Sequence, residues 1–284
     1  DDISGPKKTL SETFIAKVPS LSDLYEKLED KEENINEQIS DSLDDLVALK
    51  DEIDNMELDI IKTKDELKWE DQQRIKEIID QAKNEITKMK NISSAIETLM
   101  EQSEKHDLFL PDLMKKFNEL SSLLKEIIPE NLIENLSDAQ NSLEEMNLQS
   151  LQKALENMSN NISEIESELD RYIDIFKRLQ AEQKMDELKN RLEKLVQHKD
   201  KLDRDIDNLE ISDNTSSETR ISQEELRVLE ELNSINQDIQ EASELIKPFS
   251  EKSATKLDQL KNNPEFNQAS NNIEETISSL QQNN

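Results

Sequence analysis

The sequence has no cysteine and a single glycine, and both absences narrow the folds it can adopt. Without cysteine there can be no disulfide and no thiolate ligand for zinc, while any redox compartment is allowed. Gly5 is the only residue that takes positive φ without strain, so the tight hairpins of a multi-stranded sheet are not expected. We therefore expect an all-α chain.

Apolar and aromatic residues are also scarce, at 33% and 3% of the chain. This is too little to fill a broad core, but it is enough for a narrow seam between helices. A highly charged chain with few apolar residues is also typical of intrinsic disorder. The sustained apolar periodicity described below favours the helical interpretation over disorder.

Positive charge is in short supply. The 66 Asp and Glu residues outnumber the 35 Lys and Arg residues, which gives a net charge of −31. Such a chain repels phosphate backbones and anionic headgroups, so we expect no nucleic-acid partner. It has no run of about 18 apolar residues, so we expect no direct insertion of this segment into a membrane.

The clearest pattern is a ladder of apolar residues spaced alternately by about three and four positions, which keeps them on one side of an α-helix. Its members are Leu148, Leu151, Leu155, Met158, Ile162, Ile165, Leu169, Tyr172, Phe176 and Leu179. A second ladder, out of phase with the first, continues to Leu209. The sequence thus predicts one long helix over 148–209, roughly 90 Å in length if unbroken.

A heptad pattern in the first third of the chain predicts a helical hairpin over residues 20–104. Ser20 and Asp23 mark its start, because a hydroxyl and an acid three residues later suit the free amides of a helix N-terminus. The heptad core positions up to Leu67 are mostly apolar. The exceptions are Glu32, Ser42 and Thr63.

The heptad register slips near Trp69, across residues 68–71. Such a slip indicates either a tight reversal into an antiparallel helix or a local stutter in one very long helix. We expect the reversal. Trp69 is then expected to close the turn as an apolar plug, in preference to binding a ligand.

Prolines and polar residues set the other boundaries. Residues 1–19 lack an initiator Met and an apolar secretory core, and we expect an extended leader or linker there, in a segment or processed product of a longer protein. Pro111 and Pro129 predict two short helices within 105–147.

A polar loop is predicted at 210–221, and the first proteolytic cuts are expected between Ile211 and Ser222. Ser222 opens a capping box, so a returning helix is predicted to begin there. Short C-terminal helices complete the region 222–284.

Catalytic and metal-binding motifs are not found. His106 and His198 lack matching partners at helical spacing, and no phosphate cradle or nucleophile elbow is present. We predict no catalytic residue, no cofactor and no metal. An active site inside a helical bundle has little support, because few ionisable side chains are expected to face inward.

One stretch is more specific than its periodicity requires. Residues 168–188 read ELDRYIDIFKRLQAEQKMDEL, and this resembles a recurring stretch in large, uncharacterised bacterial proteins. Those proteins carry membrane-spanning helices near the N-terminus and a very long coiled-coil region after them. Residues 20–26, SLSDLYE, resemble the entry to that region, and residues 67–73, LKWEDQQ, resemble its first reversal. The resemblance covers most of 20–209.

The resemblance implies the soluble part of a membrane-anchored protein of the bacterial cell envelope, with the extracytoplasmic side slightly favoured, and it implies no catalytic residues. The positions that match the recurring stretch are Asp170, Arg171, Phe176, Arg178, Gln180, Glu182, Gln183 and Lys184. They lie where the ladder loses its phase. They form either a buried polar layer that fixes helix alignment or a solvated helix face.

Two functions fit these observations. The first is a non-catalytic spacer or docking scaffold, built as an elongated bundle of antiparallel helical hairpins or coiled coils. Its partners would be protein helices, including those of a second copy in a homo-oligomer. The alternative is the stalk of a nucleotide-driven machine of the chromosome-organising kind, with its heads outside this chain.

Overall fold

The computed structural model describes residues 19–62, 67–128, 130–209 and 215–282. Within these residues the chain forms eight α-helices and no strand, so the predicted all-α class is confirmed. The helices are α1 (Leu21–Lys62), α2 (Trp69–Lys105), α3 (Pro111–Glu126), α4 (Glu130–Glu144), α5 (Leu148–Leu209), α6 (Thr215–Ile246), α7 (Glu251–Lys261) and α8 (Pro264–Gln282). None of these helices combines the length and apolar character that crossing a bilayer demands.

Helix α1 begins as its sequence predicts. The Asp23 amide donates to Ser20 Oγ at 3.0 Å, and the Ser20 amide donates to Asp23 Oδ2 at 2.7 Å. These reciprocal bonds satisfy amides that the first turn leaves without helical acceptors. The heptad core positions of α1 from Tyr25 to Ile60 are buried, and they include the polar exceptions Glu32 and Ser42. Thr63 lies outside the described residues.

Helices α1 and α2 pack antiparallel. Lys88 Nζ lies 2.6 Å from Asp45 Oδ2, and Arg74 Nη1 lies 3.5 Å from Asp59 Oδ2, so partners early in α2 meet residues late in α1. The chain therefore reverses between the two helices, and residues 63–66 lie outside the described ranges.

The prediction that Trp69 closes the turn as an apolar plug is wrong. Trp69 is 71% exposed, while Leu67 is only 6% exposed and packs in the apolar core. The shorter leucine reaches the seam because its position falls on the heptad core, whereas the indole starts α2 on its outer side.

Helices α3 and α4 follow one another along the chain, and both pack against α2 and α5. Together they occupy one position of the bundle, and we call the pair the broken rod. Pro111 is the first residue of α3, where its missing N–H costs no helical hydrogen bond. The predicted second helix begins at Glu130, and Pro129 lies outside the described residues. The first half of α5 completes a four-rod bundle with α1, α2 and this broken rod.

The ends of α2 and α4 use left-handed residues that are not glycine. Asp107 has φ 51° and Met146 has φ 54°. The next amides, of Leu108 and Asn147, donate to carbonyls five residues earlier at 2.9 Å each. This bonding is a Schellman motif, which ends a helix while satisfying its last carbonyls.

Helix α5 has the bounds that the apolar ladders predict, and its 62 residues correspond to about 93 Å at 1.5 Å per residue. Its first half contributes to the large N-terminal core, which ends at Leu179. Its second half, from Leu188, contributes to two smaller cores with α6, α7 and α8. One helix is therefore shared by two bundles.

Helix α6 begins earlier than predicted. It starts at Thr215, so the loop expected over 210–221 is helical in its second part, and residues 210–214 lie outside the described ranges. Packing explains the difference: Ile221 is 1% exposed, and Arg220 Nη2 lies 3.1 Å from Asp205 Oδ2 of α5. Ser222 therefore lies within α6 and does not cap it. Part of the predicted cleavage region is thus helical.

The C-terminal helices fold back on α6. Ser250 caps α7, since its Oγ accepts from the Ser253 amide at 3.3 Å. Pro264 is the first residue of α8. The far end of α8 returns to the start of α6, where Gln281 Nε2 donates to Ser222 Oγ at 3.4 Å. This gives the second half of α5 a bundle of its own.

Candidate functional site

The stretch of α5 between the two bundles carries buried polar residues. Continued from Leu179 in steps of three or four, the apolar ladder reaches Gln183 and Glu187. The buried polar residues of this stretch are Gln183, Lys184, Glu187 and Arg191, and none is more than 3% exposed. We call these four residues, together with Glu29 and Glu32 of α1, the polar layer.

Lys184 links α1 to α6 through the polar layer. Its Nζ donates to Glu29 Oε1 of α1, and it lies 3.6 Å from Glu187 Oε2 of its own helix. On α6, Glu241 Oε2 lies at 3.5 Å and Asp238 Oδ1 at 4.0 Å. Burial by itself lowers the pKa of Lys184, but the surrounding carboxylates outweigh it and the net pKa is raised. The lysine is therefore held charged.

Arg191 ties α5 to α6 with a fan of hydrogen bonds. Its Nη1 donates to Glu187 Oε1 at 2.7 Å and to Asp238 Oδ2 at 2.5 Å. Its Nε donates to Glu231 Oε1 at 2.8 Å, and its Nη2 donates to Ser234 Oγ at 2.8 Å. Charge-assisted bonds in this planar geometry fix the position of one helix along another.

The α1 side of the polar layer is acidic. Burial raises the pKa of Glu29 to about 7 against the opposing effect of its bond from Lys184. Burial also raises the pKa of Glu32 well above its usual range, and the nearby Glu29 and Glu187 add to this effect. With its amide nitrogen turned to α1, Gln183 donates to Glu32 Oε2 at 2.8 Å.

Tyr25 lies beside the polar layer, at the start of α1. Its Oη accepts from Asn190 Nδ2 of α5 at 3.1 Å and donates to the carbonyl of Leu108 at 3.2 Å. Burial is the largest cause that raises the pKa of its hydroxyl. The first turns of α1 are therefore held both to α5 and to the turn after α2.

The chemistry open to this arrangement is that of charge pairing. Within the part of the chain that the structure describes, no three His, Asp or Glu side chains are grouped so that they could hold a metal ion. A cleft of about 260 Å³ opens beside the layer, between α1, α5 and α6, and Glu29, Gln180 and Glu241 are among its lining residues. The layer thus has contact with solvent on one side.

The matching positions of the recurring stretch divide between surface and interior. Asp170, Arg171 and Arg178 are exposed. Phe176 is fully buried, and its ring meets Phe117 of α3 edge to face with centroids 6.2 Å apart. The first part of the stretch therefore combines an apolar core residue with a solvated face.

The matching residues in the second part of the stretch are half-buried or buried. Gln180 and Glu182 are half-buried, and Glu182 accepts a bond from Lys116 of α3. Gln183 and Lys184 belong to the polar layer. The interpretation as a buried polar layer thus applies to Gln183 and Lys184, and the interpretation as a solvated helix face applies to the exposed residues of the first part. A role for any of these residues in binding a partner stays a prediction.

Four residues of the layer were not predicted as site residues: Glu29, Glu32, Glu187 and Arg191. The expectation that few ionisable side chains face inward is wrong for this region, because three helices meet here and charges on α5 pair with charges on α1 and on α6. Signals in the sequence could have found two of the four. Glu32 occupies a heptad core position, and Glu187 lies on the continued ladder.

Comparison of this chain with known protein families, with characterised proteins and with solved structures found no match.

Proposed function

We propose that this chain is a non-catalytic spacer or docking scaffold in which two helical bundles are held in line by one shared helix. The observation that carries the proposal is the position of α5, which contributes buried residues to the N-terminal core and to both C-terminal cores. A helix common to two cores resists bending where the bundles meet. Such a chain keeps whatever binds its two ends at a fixed separation.

The polar layer supports a scaffold better than an enzyme. Its two cations, Lys184 and Arg191, are each held by carboxylates on neighbouring helices. A side chain held in several ion pairs is poorly placed to exchange partners with a substrate. Buried ionic groups are best attested as devices that fix alignment and register, which is what a spacer requires.

The stalk of a nucleotide-driven machine is a weaker proposal. Its long arms would be pairs of antiparallel helices with both outer faces in solvent. Here the first half of α5 packs against α1, α3 and α4, and its second half packs against α6. Coverage by several helices favours a bundle over a bare two-helix arm.

Proteins are the proposed partners, bound through helices. Large apolar side chains lie exposed on several helices, among them Leu58, Ile61, Leu123, Ile133 and Val196. An amphipathic helix of a partner or of a second copy can cover such residues. A place in the bacterial envelope, as the soluble part of a membrane-anchored protein, rests on the sequence resemblance alone.

Distances along α5 test the proposal. Because the natural chain has no cysteine, two introduced cysteines are the only sites for spin labels. The pair Asp174→Cys with Asp200→Cys uses two exposed positions that flank the polar layer. Dipolar spectroscopy should give one narrow distribution at about 39 Å, the rise of 26 helical residues.

A matched pair provides the control. Lys153→Cys with Lys177→Cys lies wholly within the first half of α5 and should give a narrow distribution near ~36 Å. A broad or short distribution for the junction pair alone would mean that the bundles move independently, and the spacer proposal would fail.

A further inference from the structure

Among the residues that the structure describes, none donates a hydrogen bond to one of the two carboxylate oxygens of Glu187. Its Oε1 accepts from Arg191 Nη1 at 2.7 Å. Its Oε2 is buried and accepts no hydrogen bond, although Lys184 Nζ lies 3.6 Å away. A buried carboxylate oxygen without a donor is costly, so a hydrogen from another source is to be expected at this position.

The carboxyl group of Glu29 is the neighbour that can supply this hydrogen. Both carboxyls lie against the same ammonium, since Lys184 Nζ donates to Glu29 Oε1 and lies 3.6 Å from Glu187 Oε2. A hydrogen bond to Glu187 is also among the causes that raise the pKa of Glu29. Two ionised carboxylates cannot form such a bond, because neither carries a hydrogen, so the contact requires one proton between them. We propose that Glu29 and Glu187 share a proton that fastens the first turns of α1 to α5, and that loss of this proton loosens the junction between the two bundles.

Charged groups from each neighbouring helix surround this shared proton. Helix α5 contributes Lys184, Glu187 and Arg191, and α6 contributes Asp238 and Glu241. On α1, Glu32 lies one turn from Glu29, Lys31 bonds to Gln102 of α2, and Glu33 lines the cleft. Carboxylates outnumber the cations, and Lys184, the cation that already donates to Glu29, is shared with three other carboxylates.

The direction of the pH effect follows from the raised pKa of Glu29, which is about 7 in the folded chain against an ordinary 4.5. The folded state then binds the proton more tightly than the unfolded state. Its stability contribution is therefore full below about pH 4.5 and is lost as the pH rises toward 7. Glu32, whose pKa is also raised, acts in the same direction.

The cleft gives the proton a path to solvent. Glu29, Glu33 and Glu241 line it, and its volume is about 260 Å³. Exchange with water therefore needs no unfolding of the bundles. The inference goes beyond the scaffold function and stands or falls separately, since a protonation-dependent joint can exist in a chain with any role.

Carboxyl titration by NMR tests the proposal on the whole chain. In protein labelled with ¹³C-glutamate, one carboxyl signal should titrate near pH 7, and it should be lost in Glu29→Gln. Glu26→Gln, which changes an exposed residue one turn earlier on α1 and outside the cleft, should leave that signal in place. If all glutamate carboxyls of the natural chain titrate below about pH 5.5, the proposal is overturned whatever the variants do.

Amide hydrogen exchange then tests the consequence. Between pH 6 and pH 8, and after correction for intrinsic rates, protection of the first turns of α1 should fall by about tenfold in the natural chain. The fall should be clearly smaller in Glu29→Gln, whose amide supplies a permanent donor and in which only Glu32 still acts, and it should keep its full size in Glu26→Gln. A fall of the same size in Glu29→Gln would show that the shared proton is not the cause.

Discussion

The two halves of α5 lie in different surroundings. The first half belongs to one continuous apolar core that includes the stacked rings of Phe109 and Phe117, with centroids 4.8 Å apart. The second half belongs to two smaller cores, where Leu192 and Leu195 are only partly buried. Ion pairs from α5 to α6 accompany the smaller cores. One helix is thus held by a large apolar core at one end and by smaller apolar cores together with ion pairs at the other.

The largest expected effect concerns the apolar half. Phe176→Ala removes a fully buried ring and should lower the free energy of unfolding by about 3–5 kcal/mol, measured by chemical denaturation. Phe249→Ala, at a 39% exposed position in the turn between α6 and α7, is the control for the loss of a ring and should cost less than about 1 kcal/mol. Equal costs would mean that burial of the Phe176 ring contributes nothing particular to the N-terminal core.

The second largest effect on stability is expected from loss of the hydrogen bonds that Arg191 donates. Arg191→Met keeps much of the side-chain volume but leaves Glu187 buried without its donor, and it should cost about 2–4 kcal/mol. The exposed Arg204→Met on the same helix should change stability by no more than about 0.5 kcal/mol. A neutral or stabilising Arg191→Met would mean that apolar contacts alone hold the C-terminal half.

A smaller effect on stability is expected at Ser42, a polar residue at a heptad core position of α1. Ser42 Oγ donates to Glu85 Oε2 at 3.0 Å, and both side chains are buried. Ser42→Ala should cost about 1 kcal/mol in thermal unfolding, since Glu85 keeps its ion pair with Lys88. Ser40→Ala, at a half-buried position on the same helix, should have a smaller effect. If the two variants agree, the buried bond contributes nothing to stability.

The smallest effect is expected at the turn before α5. Met146 has φ 54° and is 55% exposed, so Met146→Gly relieves backbone strain with little loss of packing. The variant should be more stable by about 0.5–1 kcal/mol. Glu145→Gly, where φ is not positive, should be destabilising in the same assay. A destabilised Met146→Gly would show that the methionine side chain matters more than the backbone conformation.

Much of the fold was predictable because apolar spacing fixes which face of each helix is buried. The bounds of α5 and the start of α1 follow from the ladder and from Ser20 with Asp23. The start of α6 was not predictable in the same way. A polar stretch looks like a loop until its packing against α5 is known, as Ile221 and Arg220 illustrate.

The candidate site was only partly predictable. Gln183 and Lys184 lie in the stretch whose polar residues coincide with the slipped register, so sequence alone singles them out. Glu29 and Arg191 look like ordinary surface charges, because their burial depends on α1 and α6 meeting at the same turns of α5. That coincidence is a property of the tertiary packing and has no local signature in the chain.

Amide hydrogen exchange along α5 tests most directly the claim that one helix runs unbroken through both bundles. We expect amides of residues 181–190 to be protected to a similar degree as those of residues 170–179, since the polar layer is buried and hydrogen-bonded. Rapid exchange confined to residues 181–190, with protected helix on both sides, would contradict the account and make the junction a hinge.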